Sequence, residues 1–138
     1  MTQNSDCIFC KIISKEIPAD IIYEDDNILA FVDMHPVTRG HALVVPKNHS
    51  QDLISAEDAD LSAAMPGLKK VAAAVVKATG AAGFNLHVNT GKVAGQAIFH
   101  THFHIIPRYS NDGLKLWPHS EVEPRTRAQQ AQEIKKFL

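Results

Sequence analysis

The sequence predicts an α+β fold, a five-stranded antiparallel sheet with one long helix packed across it and short helices at its N- and C-terminal ends. Three observations carry this expectation. Five short runs rich in β-branched and aromatic residues are each closed by Pro, Gly or Asp/Asn turns. A single alanine-rich stretch before Gly80 is long enough to cross such a sheet. The 138 residues suit one domain with a sizeable core of its own.

Taken in order, Ile8 to Ile17 carries apolar residues at 8, 9, 12, 13 and 17, a short amphipathic helix stopped by Pro18. Ile21 to Glu24 and Asn27 to Asp33 read as two strands joined by a tight hairpin across Asp25-Asp26. Met34 to Gly40 is a loop, and His41 to Val45 a third strand stopped by Pro46. Ser55-Ala-Glu-Asp58 resembles a capping box that opens the long helix, which runs to Thr79 and is kinked or split at Pro66. Phe84 to Asn89 is the fourth strand, Phe99 to Pro107 the fifth, and the five form a meander. Thr90 to Gln96 between them is a glycine-bearing turn able to bring backbone amides together. Tyr109 to Pro124 is loop, and Thr126 to Leu138 a last helix.

Composition narrows the function classes. The chain is 45% hydrophobic and 21% charged with a net charge of −1, so no global field marks it as a nucleic-acid or membrane-surface binder. The polar start, Met1 to Asp6, leads into no apolar signal segment, and no run reaches the length of a membrane span. A cytoplasmic location is the expectation. The two cysteines, Cys7 and Cys10, are spaced C-x-x-C. In a reducing compartment that pair reads as metal-binding or redox, or else as two small buried residues. A thioredoxin-like motif needs a strand before it, and none can be placed upstream. Two thiolates are half of a tetrahedral zinc site.

The most distinctive run is Phe99-His-Thr-His-Phe-His-Ile-Ile-Pro107. In a strand, His100, His102 and His104 share one face, with Thr101, Phe103 and Ile105 on the other. Their outer Cα atoms would then lie about 13 Å apart, too far for all three imidazoles to meet one metal. The row divides its labour: one end for metal, the middle and far rings for a substrate. A neutral imidazole is both nucleophile and proton carrier, and phosphorus is a natural electrophile for it. The competing readings are a solvated strand face and a pure His-x-His metal site.

With Asn89-Thr-Gly-Lys-Val-Ala-Gly-Gln-Ala-Ile-Phe before it, this run resembles the signature of the histidine triad (HIT) family, His-φ-His-φ-His-φ-φ with φ apolar. IFCKIISKEIPADIIYEDDNILAFVDMHP and GHALVVPKNH resemble the Hint-like nucleoside-phosphoramidase branch. The resemblance runs over a core of residues 7–108 and leaves 109–138 as a C-terminal tail of one HIT domain spanning 1–138. It implies a hydrolase that transfers a purine nucleoside monophosphate to a histidine and then to water, releasing an amine, phosphate or nucleotide. By it, His102 is the nucleophile, His104 holds phosphate oxygens and His41 supports the triad. Asn89, the Gly95–Ala97 amides and the Gln96 side chain would hold the phosphate, in keeping with what a glycine turn can do for an anion. Asp33 would accept from ribose hydroxyls, and Ile8, Phe9, Ile12, Phe31 and Met34, with a contribution from Leu43, would form the purine slot.

Family members with the N-terminal Cys-x-x-Cys resemble uridylyltransferase relatives that use zinc. The implied ligands are Cys7, Cys10, His49 and His100, a closed set holding one structural zinc per chain. A homodimer joined through the long helix and a sheet edge is also implied, and the alanine-rich face at Ala72 to Val76 suits it. His35, His87 and His119 receive no role. Two departures bear on substrate. Ala97 stands where the phosphoramidase branch has serine, and Gln96 with Pro107-Arg108 leans toward a dinucleoside polyphosphate hydrolase. The tail with Trp117 matches neither branch. A non-catalytic nucleotide-binding interaction protein is the rival class, and the intact His102 with Gln96 and Asn89 favours the enzyme.

Overall fold

A computed structural model describes residues 1–138. The elements run α1 (Ile8–Ile13), β1 (Ile21–Glu24), β2 (Ile28–Val32), β3 (Ala42–Pro46), α2 (Asp58–Thr79), β4 (Gly83–His87), β5 (Phe103–Arg108) and α3 (Pro124–Lys135). The five strands form one antiparallel sheet, but its order is β1-β2-β3-β5-β4. It is not a simple meander. The β3–β4 connection travels through α2 across the sheet, which leaves the edge of β3 open for β5.

Strand alternation separates two cores. Ile28, Ala30, Ala42, Val44, Phe103 and Ile105 face α2, meeting Ala64, Leu68, Val71, Ala72 and Val75. Leu29, Phe31, Leu43 and Val45 face the opposite way and meet Phe9, Cys10, Ile12 and Ile13 of α1. Because β2 and β3 are covered on both sides, they read as continuous apolar runs. Gly67 permits the close approach of helix to sheet: a Cβ there would lie 2.5 Å from Ile28 Cδ1. Truncating Leu68 in this layer would cost roughly 2–5 kcal/mol.

Several boundaries differ from expectation for local reasons. Helix α1 ends at Ile13, because Lys15 adopts a φ of 66° and turns the chain. Helix α2 is one element through Pro66, not two, and stops as expected at Gly80 in the left-handed region. Its N-cap is Glu57 with no side-chain bond. Ser55 instead exchanges bonds with Asp52, each side chain accepting the other's backbone N–H, in a turn ahead of the helix. Strand β5 begins at Phe103 rather than Phe99. The residues before it leave the sheet because Thr101 bonds Ser50 through main and side chain, and His100 Nε2 lies 2.8 Å from the Pro46 carbonyl. Helix α3 has no buried residue. No helix is long and apolar enough to cross a membrane.

Candidate active site

The site lies on the α1 face of the sheet, where two constellations share the segment before β5. In the first, Cys7 at the N-cap of α1 and Cys10 in its first turn meet His49 and His100. The separations are 3.4 Å for Cys7 Sγ–His100 Nδ1, 3.5 Å for Cys10 Sγ–His49 Nδ1, 3.6 Å for Cys10 Sγ–His100 Nδ1 and 3.2 Å between the two Nδ1 atoms. A tetrahedral zinc with ordinary bond lengths gives S···N edges of about 3.5 Å and N···N edges of about 3.3 Å. The donor set therefore fits the ion. His100 Nε2–H donates to the Pro46 carbonyl, which leaves the Nδ1 lone pair for the cluster. Burial holds the His100 pKa down at about 4, so the ring is neutral as a ligand must be. Burial also pushes the Cys10 thiol up, a trend a cation beside it would reverse. The Asn4 N–H already points at Cys10 Sγ from 3.3 Å.

The second constellation opens onto a cavity of about 440 Å³ lined by Ile8, Phe9, Ile12, Phe31, Met34 and Leu43 on its apolar side. Asp33, Gly95, Ala97, His102 and His104 form the rest of its wall together with His35 and Ile98. The size and mixed lining suit a nucleoside-sized ligand. Phe9 stands edge-on to His102 at 5.0 Å, to His100 at 6.0 Å and to Phe31 at 5.7 Å, tying both constellations to one side chain of α1.

Hydrogen bonds assign a tautomer to each ring around this cavity. His102 Nδ1–H donates to the His100 carbonyl at 2.6 Å. No protein atom bonds its Nε2, and no fully buried side-chain nitrogen lacks a partner, so that atom is open to the cavity. His41 Nδ1 accepts from the Val37 N–H at 3.0 Å, which places the proton of the neutral ring on Nε2. That Nε2–H lies 3.0 Å from His104 Nδ1 and 3.4 Å from Asp33 Oδ2. His104 then accepts on Nδ1 and carries its own proton on Nε2. Two neighbouring rings, 5.0 Å apart, thus present a lone pair (His102) and a donor (His104). Burial is the main cause keeping all three neutral. It lowers His41 and His102, the latter against the pull of the His100 carbonyl and Asp33, and lowers His104 to about 4.

The structure places the sequence candidates unevenly. Every residue proposed for the purine slot lines the cavity, as do Asp33, Gly95 and Ala97. Gln96 does not. Its side chain is buried, accepting from Gly91 N–H and donating to the Gln51 and Ile98 carbonyls, so its amide braces the glycine turn and is not free for phosphate. Asn89 is also outside the lining, packed beside Gly95, which has a φ of 97°. The three histidines do not form a straight row on one strand, since only His104 lies in β5. His35 and Ile98 were missed. His35 sits in a loop with no periodicity, whereas Ile98 could have been read from the apolar run before the triad.

Known proteins share this architecture. The HIT domain model matches residues 14–111, well over half of the chain. An uncharacterized HIT-like protein of Borreliella burgdorferi is 47% identical over 79% of this chain and 80% of its own. The adenosine 5′-monophosphoramidase of Saccharomyces cerevisiae is 41% identical over 88% of this chain and 76% of its own. Among solved structures, SMU.412c from Streptococcus mutans superposes with a TM-score of 0.92 at 36% identity, covering 97% of this chain and 86% of its own. A Zn-bound histidine triad family protein from Mycobacterium smegmatis does so with a TM-score of 0.75 at 36% identity, covering 95% of this chain and 97% of its own. The chain belongs to the HIT-domain family.

Proposed function

We propose that this protein hydrolyses purine nucleotides through a covalent nucleotidyl-His102 intermediate, as a phosphoramidase-like enzyme. The observation that carries the reading is the pairing of an open His102 Nε2 lone pair with a protonated His104 Nε2 at the end of a nucleoside-sized apolar slot. A base between Phe31 and the Ile8–Ile12 side places its ribose near Asp33, an acceptor suited to hydroxyls, and its α-phosphorus near His102. His102 Nε2 attacks phosphorus, the P–N bond breaks as the departing nitrogen takes a proton from solvent and leaves as the amine, and a positive imidazolium develops that the His100 carbonyl already stabilises at Nδ1. His104 Nε2–H and the Gly95–Ala97 backbone hold non-bridging oxygens as charge builds on them. Water then attacks the phosphorus, the N–P bond breaks, and the monophosphate departs.

Cys7, Cys10, His49 and His100 would hold one zinc, which would supply a cross-link between α1 and the segment before β5. Four protein donors leave no open position on it for chemistry. The naming of related proteins as adenosine monophosphoramidase and as Zn-bound supports both parts of this reading. A homodimer belongs to the same proposal: β4 is a sheet edge whose Phe84 and Leu86 are exposed. The deciding experiment incubates the protein with an adenosine phosphoramidate labelled at phosphorus, quenches in the first turnover and maps the label. Label on His102 is expected; turnover without it overturns the covalent route, and binding without turnover favours the interaction protein.

A further inference from the structure

The peptide unit between His100 and Thr101 is held from both sides. Its carbonyl accepts the Nδ1–H of His102 at 2.6 Å, and its N–H donates to the Ser50 carbonyl at 2.9 Å. The two polar groups of a trans peptide point in opposite directions, so a bond on the N–H side fixes where the carbonyl aims. Donation from the N–H also polarises the unit and makes its carbonyl a stronger acceptor. Side chains close the same link, for Thr101 Oγ1 lies 2.8 Å from Ser50 Oγ and 3.4 Å from the Ser50 carbonyl. Thr101 is 1% exposed and stands at an apolar position of the triad pattern. Phe103, at the next such position, is apolar and packs into the core beneath α2.

Ser50 is itself a fixed point. Before it, the His49 N–H donates to the Thr2 carbonyl at 2.9 Å and the Asn48 side-chain amide to Asp60 Oδ1 of α2 at 2.7 Å. After it, the Gln51 carbonyl accepts from the Gln96 amide at 2.7 Å. Residues 49–51 therefore reach three parts of the site in turn. His49 belongs to the candidate metal cluster, Ser50 meets the peptide behind His102, and Gln51 anchors the brace of the 95–97 loop. No sheet ladder enforces the middle contact: segments 49–51 and 100–102 lie outside every strand, and a single backbone bond joins them. The hydroxyl pair supplies the restraint that a ladder would otherwise give.

We propose that Ser50 and Thr101 are positioning residues for the nucleophile: their hydroxyls lock the 100–101 peptide, whose carbonyl keeps the proton of His102 on Nδ1 and the Nε2 lone pair aimed into the nucleotide cavity. The inference rests on the reading of His102 as nucleophile. Neither hydroxyl lines the cavity, and both act through the His100 carbonyl. A peptide held by its one backbone bond alone is free to rock, and hydrogen bonds weaken steeply as their angle departs from linear. A ring released from its acceptor turns about its side-chain bonds and admits the other tautomer, which has no lone pair at Nε2. Misorientation of this kind slows the attack on phosphorus and leaves the binding of base and ribose alone.

The test removes the hydroxyls singly and together in the full-length protein. Ser50→Ala leaves the buried Thr101 hydroxyl with only its long contact to the residue-50 carbonyl, and Thr101→Val removes the other partner. Each should lower Tm by several degrees and kcat for an adenosine phosphoramidate about tenfold, with KM within about twofold. Combining the two replaces both partners by apolar groups, which restores most of the lost stability. The double variant should recover Tm and the metal content of the wild type, yet stay about tenfold low in kcat. Thr101→Ser, which keeps the hydroxyl, should hold kcat within about threefold. In proton spectra without ligand, the His102 Nδ1–H resonance should move upfield in the double variant and stay in place in Thr101→Ser. A double variant that regains kcat along with Tm, a kcat loss that follows loss of metal, or an unmoved Nδ1–H resonance overturns the positioning role and leaves the His102 chemistry standing. Absence of phosphorus label on His102 in the wild type overturns the nucleophile itself, and the positioning of it as well.

Discussion

The carbonyl of His100 accepts the Nδ1–H of His102 at 2.6 Å while the ring of the same His100 turns toward Cys7 and Cys10. One residue thus joins the candidate metal centre to the candidate nucleophile, by its side chain on one side and its backbone on the other. Metal removal should act first on stability. Chelation, or Cys10→Ser, should lower Tm by more than about 10 °C, the equivalent of a few kcal/mol in a chain of this size. Well below that Tm, kcat should fall less than about tenfold, because the Pro46 carbonyl still holds the His100 ring. Thermal melts beside turnover at low temperature check this, and a collapse of kcat without loss of Tm would make the metal catalytic.

Replacing His102 by Ala removes the only open imidazole lone pair among the rings whose tautomers are assigned. The expected loss in kcat is about 10⁴-fold or more, with AMP affinity retained within a few-fold, since Phe31, Ile12 and Asp33 still form the slot. Calorimetric titration with AMP beside single-turnover kinetics separates the two effects. Loss of binding in parallel with rate would place His102 in ligand recognition.

Acid should act through the same buried rings. Unfolded, His104 takes up a proton near 6.5; folded, only near 4. Between those values the unfolded chain binds more protons, so this contribution to stability is level above 6.5 and declines as pH falls toward 4. His102 and His41 shift in the same direction for the same reason, burial. The acid limb of kcat/KM should therefore inflect below 6.5, with a plateau from there through neutral pH. Urea midpoints at pH 5 and 7.5 should differ in the wild type and differ less in His104→Gln.

The tautomer of His104 depends on His41, whose own proton is placed by the Val37 N–H. His41→Ala removes the donor to His104 Nδ1, and kcat should fall about 10- to 100-fold with a smaller change in KM. His41→Gln restores an N–H at that place and should recover part of the rate. Equal damage by Ala and Gln would mean that His41 only fills space.

Much of this arrangement was legible in the chain because it is written in periodicity and in spacing. The apolar positions of α1 marked Ile8, Phe9 and Ile12 as a packing face, and the family resemblance turned that face into the slot they line. The C-x-x-C pair called for two further ligands, and His49 and His100 stand beside it. What periodicity could not show is where a strand stops. The segment before β5 alternates as β5 does, yet tertiary bonds from Ser50 and Pro46 draw it out of the sheet.

Gln96 is the residue whose role changed most between sequence and structure. Its buried amide bonds three backbone groups at once, Gly91 N–H and the carbonyls of Gln51 and Ile98, and so sets the path of the loop that carries Gly95 and Ala97 into the cavity. Removing it strands those groups, at about 1–3 kcal/mol for each one left buried without water. Gln96→Ala should therefore lower Tm by several degrees and raise KM for nucleotide, because the 95–97 amides lose their aim. A side chain that held phosphate directly would behave differently: Ala would leave Tm unchanged and spare KM for the nucleoside half. Melting and steady-state kinetics on the same preparation distinguish the brace from the direct ligand, and Gln96→Glu sharpens the contrast. Glu keeps the acceptor for Gly91 but loses both donated bonds, so it should destabilise nearly as much as Ala.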